Sequence, residues 1–222
     1  VTANVFAVIP VKDELAFTAP LVTQLHSEGV GVLVVDNGST DGTREWLTDN
    51  GVRWVAAPDA NLHQMWNMGL DAAPGDADVV AVLNNDITLG DGTMAVCAAA
   101  ITSLDALVLA SPDYSGGTAL GGVEWATELG EHTGGVVGWA MLFDATWLTA
   151  TGFRFPEQLQ WWYGDNVALD TVLRSEYKAG IVGGTAVTHH GSATGGDWRQ
   201  YGVEIASDRR WYAAWSSTHP TV

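Results

Sequence analysis

At 222 residues and 23.5 kDa the chain has the length of one domain with a short C-terminal extension, long enough to bury a substantial core. Hydrophobic residues at 47% against charged residues at 16% exclude an intrinsically disordered chain. Its 26 acidic and 9 basic residues give a formal charge of -17, which argues against nucleic-acid binding but admits a phosphate ligand carried on a divalent cation held by carboxylates.

From the N-terminus, short β-branched runs alternate with helix-periodic stretches, the pattern of a sheet built from βαβ units with helices on both faces. Strands are expected over residues 5–10, 30–35, 53–56 and 79–83, and helices over 15–28, 42–50 and 64–72. Residues 1–11 lack a basic leader and cleavage site and read as a strand. No run reaches the roughly 18 apolar residues that span a bilayer. No direct membrane insertion is therefore expected, and a cytoplasmic location is. Cys97, the single cysteine, rules out an intramolecular disulfide and a cysteine-based zinc cluster; it reads as a small buried residue on a helix.

Further on, Ser115, Gly116, Gly117, Gly121 and Gly122 mark turns before an expected strand over 134–143, a helix over 166–179 and a strand over 181–187. A glycine-containing loop over 191–196 precedes a last helix over 198–215. That helix carries Trp198, Tyr201, Trp211, Tyr212 and Trp215, rings that suit packing on the domain more than stacking on a sugar. The expected organisation is a single domain over 1–222, in two halves over about 1–90 and about 91–197 followed by a helical extension over about 198–222.

Ligands of open α/β sheets bind beyond the carboxyl ends of the strands. The strand over 30–35 runs into Asp36-Asn37-Gly38-Ser39-Thr40-Asp41-Gly42, which puts two acids, an amide and a glycine turn in that place. Ser39, Thr40 and Asp41 equally suit a helix cap. The wholly apolar strand over 79–83 runs into Asn84-Asn85-Asp86, whose oxygens suit a hard cation, Mg²⁺ or Mn²⁺, bridging two phosphates. Alone, that tripeptide is an ordinary turn. Trp161, Trp162 and Tyr163 precede Asp165, either as an aromatic wall for a sugar ring or as core. The strand over 181–187 leads into His189 and His190, and a neutral imidazole suits Mn²⁺ better than Mg²⁺.

In order along the chain, Ile9-Pro10-Val11-Lys12, Val35 to Thr43, Asn67 to Ala73, Leu83-Asn84-Asn85-Asp86, Gly138 to Phe143, Gly152-Phe153, Trp162 to Asn166, Leu173-Arg174 and Val187 to Gly191 resemble the signature of the GT-A glycosyltransferases of family 2. Each piece is loose, but the ordered set is specific and covers about residues 5–195. The resemblance implies a Rossmann-like GT-A fold with a mostly parallel central sheet. The implied activity is inverting, metal-dependent transfer of a sugar, a hexose or deoxyhexose, from a nucleotide-diphosphate donor to an acceptor hydroxyl.

Carried over position by position, it puts Pro10 and Val11 beside the nucleoside and Asp36 or Asn37 on the base, with Asn67, Asn84 and Asn85 in the same donor site. Asp86 matches the last acid of the family's DxD motif and would bind the metal with His189, His190 being the alternative; Thr194 matches a small hydroxyl residue five positions on. Asn84 at the first position of that motif is similar to the rhamnosyltransferase-like branch. Asp165 matches the catalytic base, with Gly164 in place of a second acid, and it also suits the cap of the following helix. A base within hydrogen-bond reach of the acceptor hydroxyl removes its proton as the bond to the diphosphate breaks. Trp139 would run under the donor sugar, and Trp66 replaces an arginine that many relatives carry.

A dehydrogenase would need a Gly-x-Gly-x-x-Gly turn after the first strand, and a phosphate-binding kinase loop would need a terminal Lys-Ser/Thr; neither is present. The rivals are a nucleotidyltransferase, which lacks its Gly-rich loop here, and a non-catalytic carbohydrate-binding protein. Because the sequence stops just after the catalytic region, the expected acceptor is soluble: a small molecule, a glycan, a protein or a modified base.

Overall fold

The computed structural model describes residues 3–127, 135–191 and 201–219. Its first half follows the expected alternation: β1 (Val5–Val11), α1 (Leu15–Ser27), β2 (Gly31–Asp36), α2 (Thr43–Asp49), β3 (Trp54–Ala56), α3 (Leu62–Asp71) and β4 (Val79–Leu83). The chain continues through β5 (Ile87–Leu89), α4 (Thr93–Ser103), β6 (Leu107–Pro112), β7 (Val123–Trp125), β8 (Ala140–Asp144) and α5 (Ala145–Thr151). It closes with α6 (Gly164–Leu173), β9 (Lys178–Val182), β10 (Val187–His189) and α7 (Gly202–Thr218).

Eight strands form the main sheet in the order β3-β2-β1-β4-β8-β6-β9-β7, and β10 and β5 form a separate two-stranded ribbon. The β3-β2, β2-β1, β1-β4 and β6-β9 pairs are parallel, while β8 is antiparallel to both β4 and β6 and β7 to β9. The sheet is therefore mixed, with four of its seven strand pairs parallel, in keeping with the expected mostly parallel sheet. The mixing is caused by β8, which starts with Ala140 beside Leu83 at the end of β4 and so runs back along it.

Residue alternation divides each central strand between two cores. Ala7 and Ile9 of β1, Val34 of β2 and Ala81 and Leu83 of β4 face α1, α2 and α4 through Leu21, Val22, Leu25, Leu47 and Cys97. Phe6 and Val8, Leu33 and Val35, and Val80 and Val82 face α3, α5 and α6 through Met65, Trp66, Trp147, Leu169 and Val172. Each Val, Leu or Ile among them contributes about 1.5–3 kcal/mol on burial, which is why these strands read as continuous apolar runs. Cys97 is buried on a helix as expected, and burial pushes its thiol up to about 12.

The second half departs from the sequence reading. The strand expected over 181–187 is two strands, β9 and β10, parted at Gly183 and Gly184. A Cβ on Gly183 would sit 2.0 Å from the Ala119 carbonyl oxygen, so the backbones pack against each other there. The helix expected over 166–179 stops at Leu173, because Lys178 and Ala179 pair with β6. The strand expected over 134–143 begins only at Ala140, and residue 134 lies outside the described residues, as do Thr194, Trp198 and most of the 191–196 loop. Among the described residues no helix is long and apolar enough to cross a membrane.

α3 lies directly on β1, and Gly69 sets the approach: a Cβ there would meet Val8 Cγ1 at 2.0 Å. Gly69→Ala is expected to lower the unfolding free energy by about 1–3 kcal/mol through overpacking, measured by urea denaturation; an unchanged midpoint would mean that α3 can lift without cost.

Candidate functional site

The parallel register of β1, β2 and β4 brings their carboxyl ends to one side, where a cavity of about 350 Å³ opens. Pro10, Val11 and Lys12 line it from β1, Asn37 from the β2 loop, and Asn84, Asn85 and Asp86 from the β4 loop. Leu62 and Met65 of α3 form its floor with these loops, His189 enters from β10, and Trp161, Trp162 and Tyr201 complete the lining.

Asp86 and His189 meet because β10 pairs with β5 immediately after the β4 loop: His189 lies opposite Ile87, and His190 N donates to Asp86 O at 2.9 Å. His189 Nε2 then lies 3.1 Å from Asp86 Oδ1. Trp139 stacks on the His189 ring at 5.2 Å and 9°, and Tyr114 meets Trp139 edge-on at 5.7 Å, so the imidazole is backed by aromatic contacts. His190 is engaged elsewhere: its Nε2 is 2.8 Å from Thr88 Oγ1 and its ring stacks on Phe17 at 4.9 Å. Neighbouring strand residues point to opposite faces, which separates the two histidines.

One carboxylate oxygen and one imidazole nitrogen, side by side on a cavity wall, are a donor pair suited to a divalent cation whose remaining positions go to phosphate and water. Among the described residues no group of three or more His, Cys, Asp and Glu is placed to hold a metal ion.

Asp36 does not line the cavity. It is fully buried, takes Arg44 Nε at 2.5 Å, and accepts the N–H groups of Gly38 and Ser39 at 3.1 Å each. Those bonds shape the turn and spend the carboxylate, leaving Asn37 as the residue of the pair that faces the cavity. Asn37 Nδ2 donates to Ala57 O at 2.9 Å and Ala60 O at 2.7 Å, so its side-chain oxygen is what it can offer a base. Asn67 is also turned to structure, donating to Phe155 O at 2.8 Å and accepting Phe155 N at 2.9 Å. Asn85 does line the cavity while donating to Thr18 Oγ1 at 3.2 Å.

Asp165 is not among the residues that line the cavity; it lies in the first turn of α6. Its carboxylate accepts Gly138 N at 3.1 Å and Asn166 N at 2.9 Å. Gly138 precedes Trp139, so the chain of contacts from Asp165 to His189 passes through two residues. A Cβ on Gly138 would meet Asp165 Oδ2 at 3.0 Å, which explains the glycine. The residue keeps partial exposure, yet its carboxyl lies in a packed shell, and desolvation raises its pKa above the ordinary carboxylate value against the pull of the two N–H donors. Tyr163 stacks on Tyr212 at 5.1 Å instead of facing the cavity.

Of the aromatics on the last helix, Trp211, Tyr212 and Trp215 pack on the domain, whereas Tyr201 lines the cavity. Neither Tyr201 nor the apolar Leu62 and Met65 carry a local sequence signal for a ligand. Lys12 does: it is a cation placed directly at the carboxyl end of a buried strand in an acidic chain.

The model of the family described as glycosyl transferase family 2 matches residues 6–144. No curated protein sequence matches the chain significantly. Among solved structures the chain is similar to the mannosyltransferase PcManGT from Pyrobaculum calidifontis in complex with GDP-Man and Mn²⁺, with a TM-score of 0.69 and 16% identity over 93% of this chain and 61% of that one. It is similar to GalNAc-T7 with UDP, GalNAc and Mn²⁺, at a TM-score of 0.67 and 14% identity over 85% of this chain and 44% of that one. It is also similar to glucosyl-3-phosphoglycerate synthase from Mycobacterium tuberculosis in complex with phosphoglyceric acid, at 0.67 and 16% over 92% and 78%. The chain thus spans less than two thirds of the first two, and at these identities the likeness establishes the fold, which is GT-A. The family match covers more than half of the sequence: the chain belongs to glycosyltransferase family 2.

Proposed function

We propose that the chain transfers a sugar from a nucleotide-diphosphate donor to an acceptor hydroxyl with inversion, using Asp165 as base and a divalent cation, Mn²⁺ or Mg²⁺, at Asp86 and His189. The observation that carries this reading is the convergence of Asp86, His189, Lys12 and the amides of Asn37, Asn84 and Asn85 on one cavity at the carboxyl ends of β1, β2 and β4. The family match supports glycosyl transfer over nucleotidyl transfer. Asn84 is what supports the rhamnosyltransferase-like branch.

In this reading Pro10 and Val11 flank the nucleoside, Asn37 offers its oxygen to a base N–H, and Lys12 lies where it can meet phosphate charge. The acceptor oxygen attacks the anomeric carbon, Asp165 takes the hydroxyl proton, and the sugar–diphosphate bond breaks with its electron pair leaving on the nucleoside diphosphate. A bound divalent cation supplies Lewis-acid stabilisation of that leaving group. The N–H of Gly138 holds Asp165 Oδ2 in one orientation, and Trp161 and Trp162 offer flat apolar surface to a sugar ring. The acceptor is a soluble hydroxyl compound.

A second reading, donor binding without turnover, is favoured by one observation: Asp165 is not among the residues that line the cavity. Asp165→Asn separates the two. On the transferase reading it lowers turnover of the nucleotide sugar by about 10²–10⁴-fold with donor binding retained, measured with the wild-type protein under Mn²⁺; equal turnover in both proteins would remove Asp165 as the base.

The base works ionised, so activity falls as pH drops through the raised pKa of Asp165. The acid limb of kcat is expected above the ordinary aspartate value of about 3.9. The linked stability has the opposite sense: burial disfavours the charge, so this group's contribution is full below about pH 3.9 and declines as pH rises through its folded pKa.

Asp86→Ala is expected to weaken Mn²⁺-dependent binding of the matching nucleoside diphosphate by more than about tenfold, read as a smaller thermal shift; an undiminished shift would place the cation elsewhere.

A further inference from the structure

Trp161 and Trp162 reach the cavity from a segment between α5 and α6 with no regular structure of its own, so their placement depends on what grips its backbone. One grip comes from α3. Asn61 Nδ2 donates to Glu157 O at 2.8 Å, and Leu62 N donates to Gln160 O at 3.3 Å. His63, kept neutral by burial that pushes its pKa down to about 4, donates from Nδ1 to Leu159 O at 2.9 Å.

The other grip is Asp208 of α7, which is 1% exposed. Its carboxylate accepts the N–H of Gln160 at 3.0 Å, of Trp161 at 2.9 Å and of Trp162 at 3.1 Å. Three consecutive N–H groups converge on it as they do on a bound anion, and this is the compensation a buried carboxylate requires. One turn further along α7, Tyr212 stacks on Tyr163, whose φ of 68° is a left-handed conformation costly for a bulky residue. At the start of the helix Tyr201 lies 6.4 Å from the Trp161 ring and 5.9 Å from the Trp162 ring.

We propose that Asp208 is a positioning residue: by gathering the backbone N–H groups of residues 160–162 it fixes the Trp161–Trp162 wall, so that α7 completes the site. What the wall then holds, the sugar-bearing part of the donor, rests on the function proposed above. Asp208 touches no reacting atom in this account, and its effect passes through the two tryptophans.

Asp208→Ala and Asp208→Asn in the full chain test this by two readouts. In ligand-free protein, hydrogen exchange at the amides of Gln160, Trp161 and Trp162 should quicken by at least about tenfold in Asp208→Ala while the amides of β1 and β4 keep their rates. The asparagine, which retains one acceptor oxygen at the site, should fall between, and it carries the test if the alanine variant does not fold. For turnover of the nucleotide sugar under Mn²⁺, kcat/KM should drop by at least about tenfold while Kd for the nucleoside diphosphate alone is unchanged, since the donor groups on β1, β2 and β4 are untouched. Unchanged exchange at 160–162, equal quickening of β1 and β4, or a released segment with wild-type kcat/KM would each overturn the proposal. A wild-type protein that turns over no nucleotide sugar would refute the proposed function instead, and the exchange arm would still decide whether Asp208 holds the segment.

Discussion

The site depends on one 3.1 Å contact, that between Asp86 and His189. Asp86 ends the loop after a fully buried strand, and His189 arrives from the far end of the chain on a three-residue strand that exists only through its pairing with β5. The antiparallel strand β8 supports the same point from behind, since its entry places Trp139 against the imidazole and puts Gly138 against Asp165. An interruption of the parallel sheet thus brings metal-type ligands, an aromatic backing and a desolvated carboxylate into one neighbourhood.

Charge gives that contact its importance. The chain carries a formal charge of -17, and Lys12 is the one permanently cationic side chain among the described residues that line the cavity. A diphosphate entering beside Asp86 would meet net repulsion without a counter-ion, at a few kcal/mol for charges about 4 Å apart at an effective dielectric near 20. A divalent cation held by the Asp86–His189 pair, as proposed, would remove that conflict, and the acidity that argues against nucleic-acid binding would then be compatible with a nucleotide. Asp36 shows the contrasting solution, a carboxylate neutralised within the fold by Arg44 and spent on shaping a turn.

The first half of the fold is legible because β1, β2 and β4 are buried on both faces and so appear as apolar runs, punctuated by Asp36-Asn37-Gly38 and Asn84-Asn85-Asp86. Helix α4 is legible only as a helix at Cys97 and not in its bounds, for the complementary reason: Met94, Ala95, Val96, Cys97 and Ala98 are apolar in succession and leave no 3.6-residue stripe to read. The apolar run of β6 follows α4 without a marked break, and the 181–187 run reads as one strand although Gly183 and Gly184 mark the close backbone approach that parts β9 from β10. At the site, Asn37, Asp86 and His189 line the cavity at positions that the motifs marked, while Asp36 turns inward to its own loop and to Arg44, and Asn67 turns inward to the backbone of Phe155, 88 residues on. The grip of Asp208 on residues 160–162 had no sequence signal at all, since it joins an ordinary helical aspartate to backbone N–H groups.

The most direct measurement is anomalous diffraction at the manganese edge from crystals grown with Mn²⁺ and a nucleoside diphosphate. The account requires a single strong peak coordinated by Asp86 and His189 and in contact with the diphosphate. A peak bound by other side chains, or a diphosphate seated in the cavity with no cation on that pair, would contradict it.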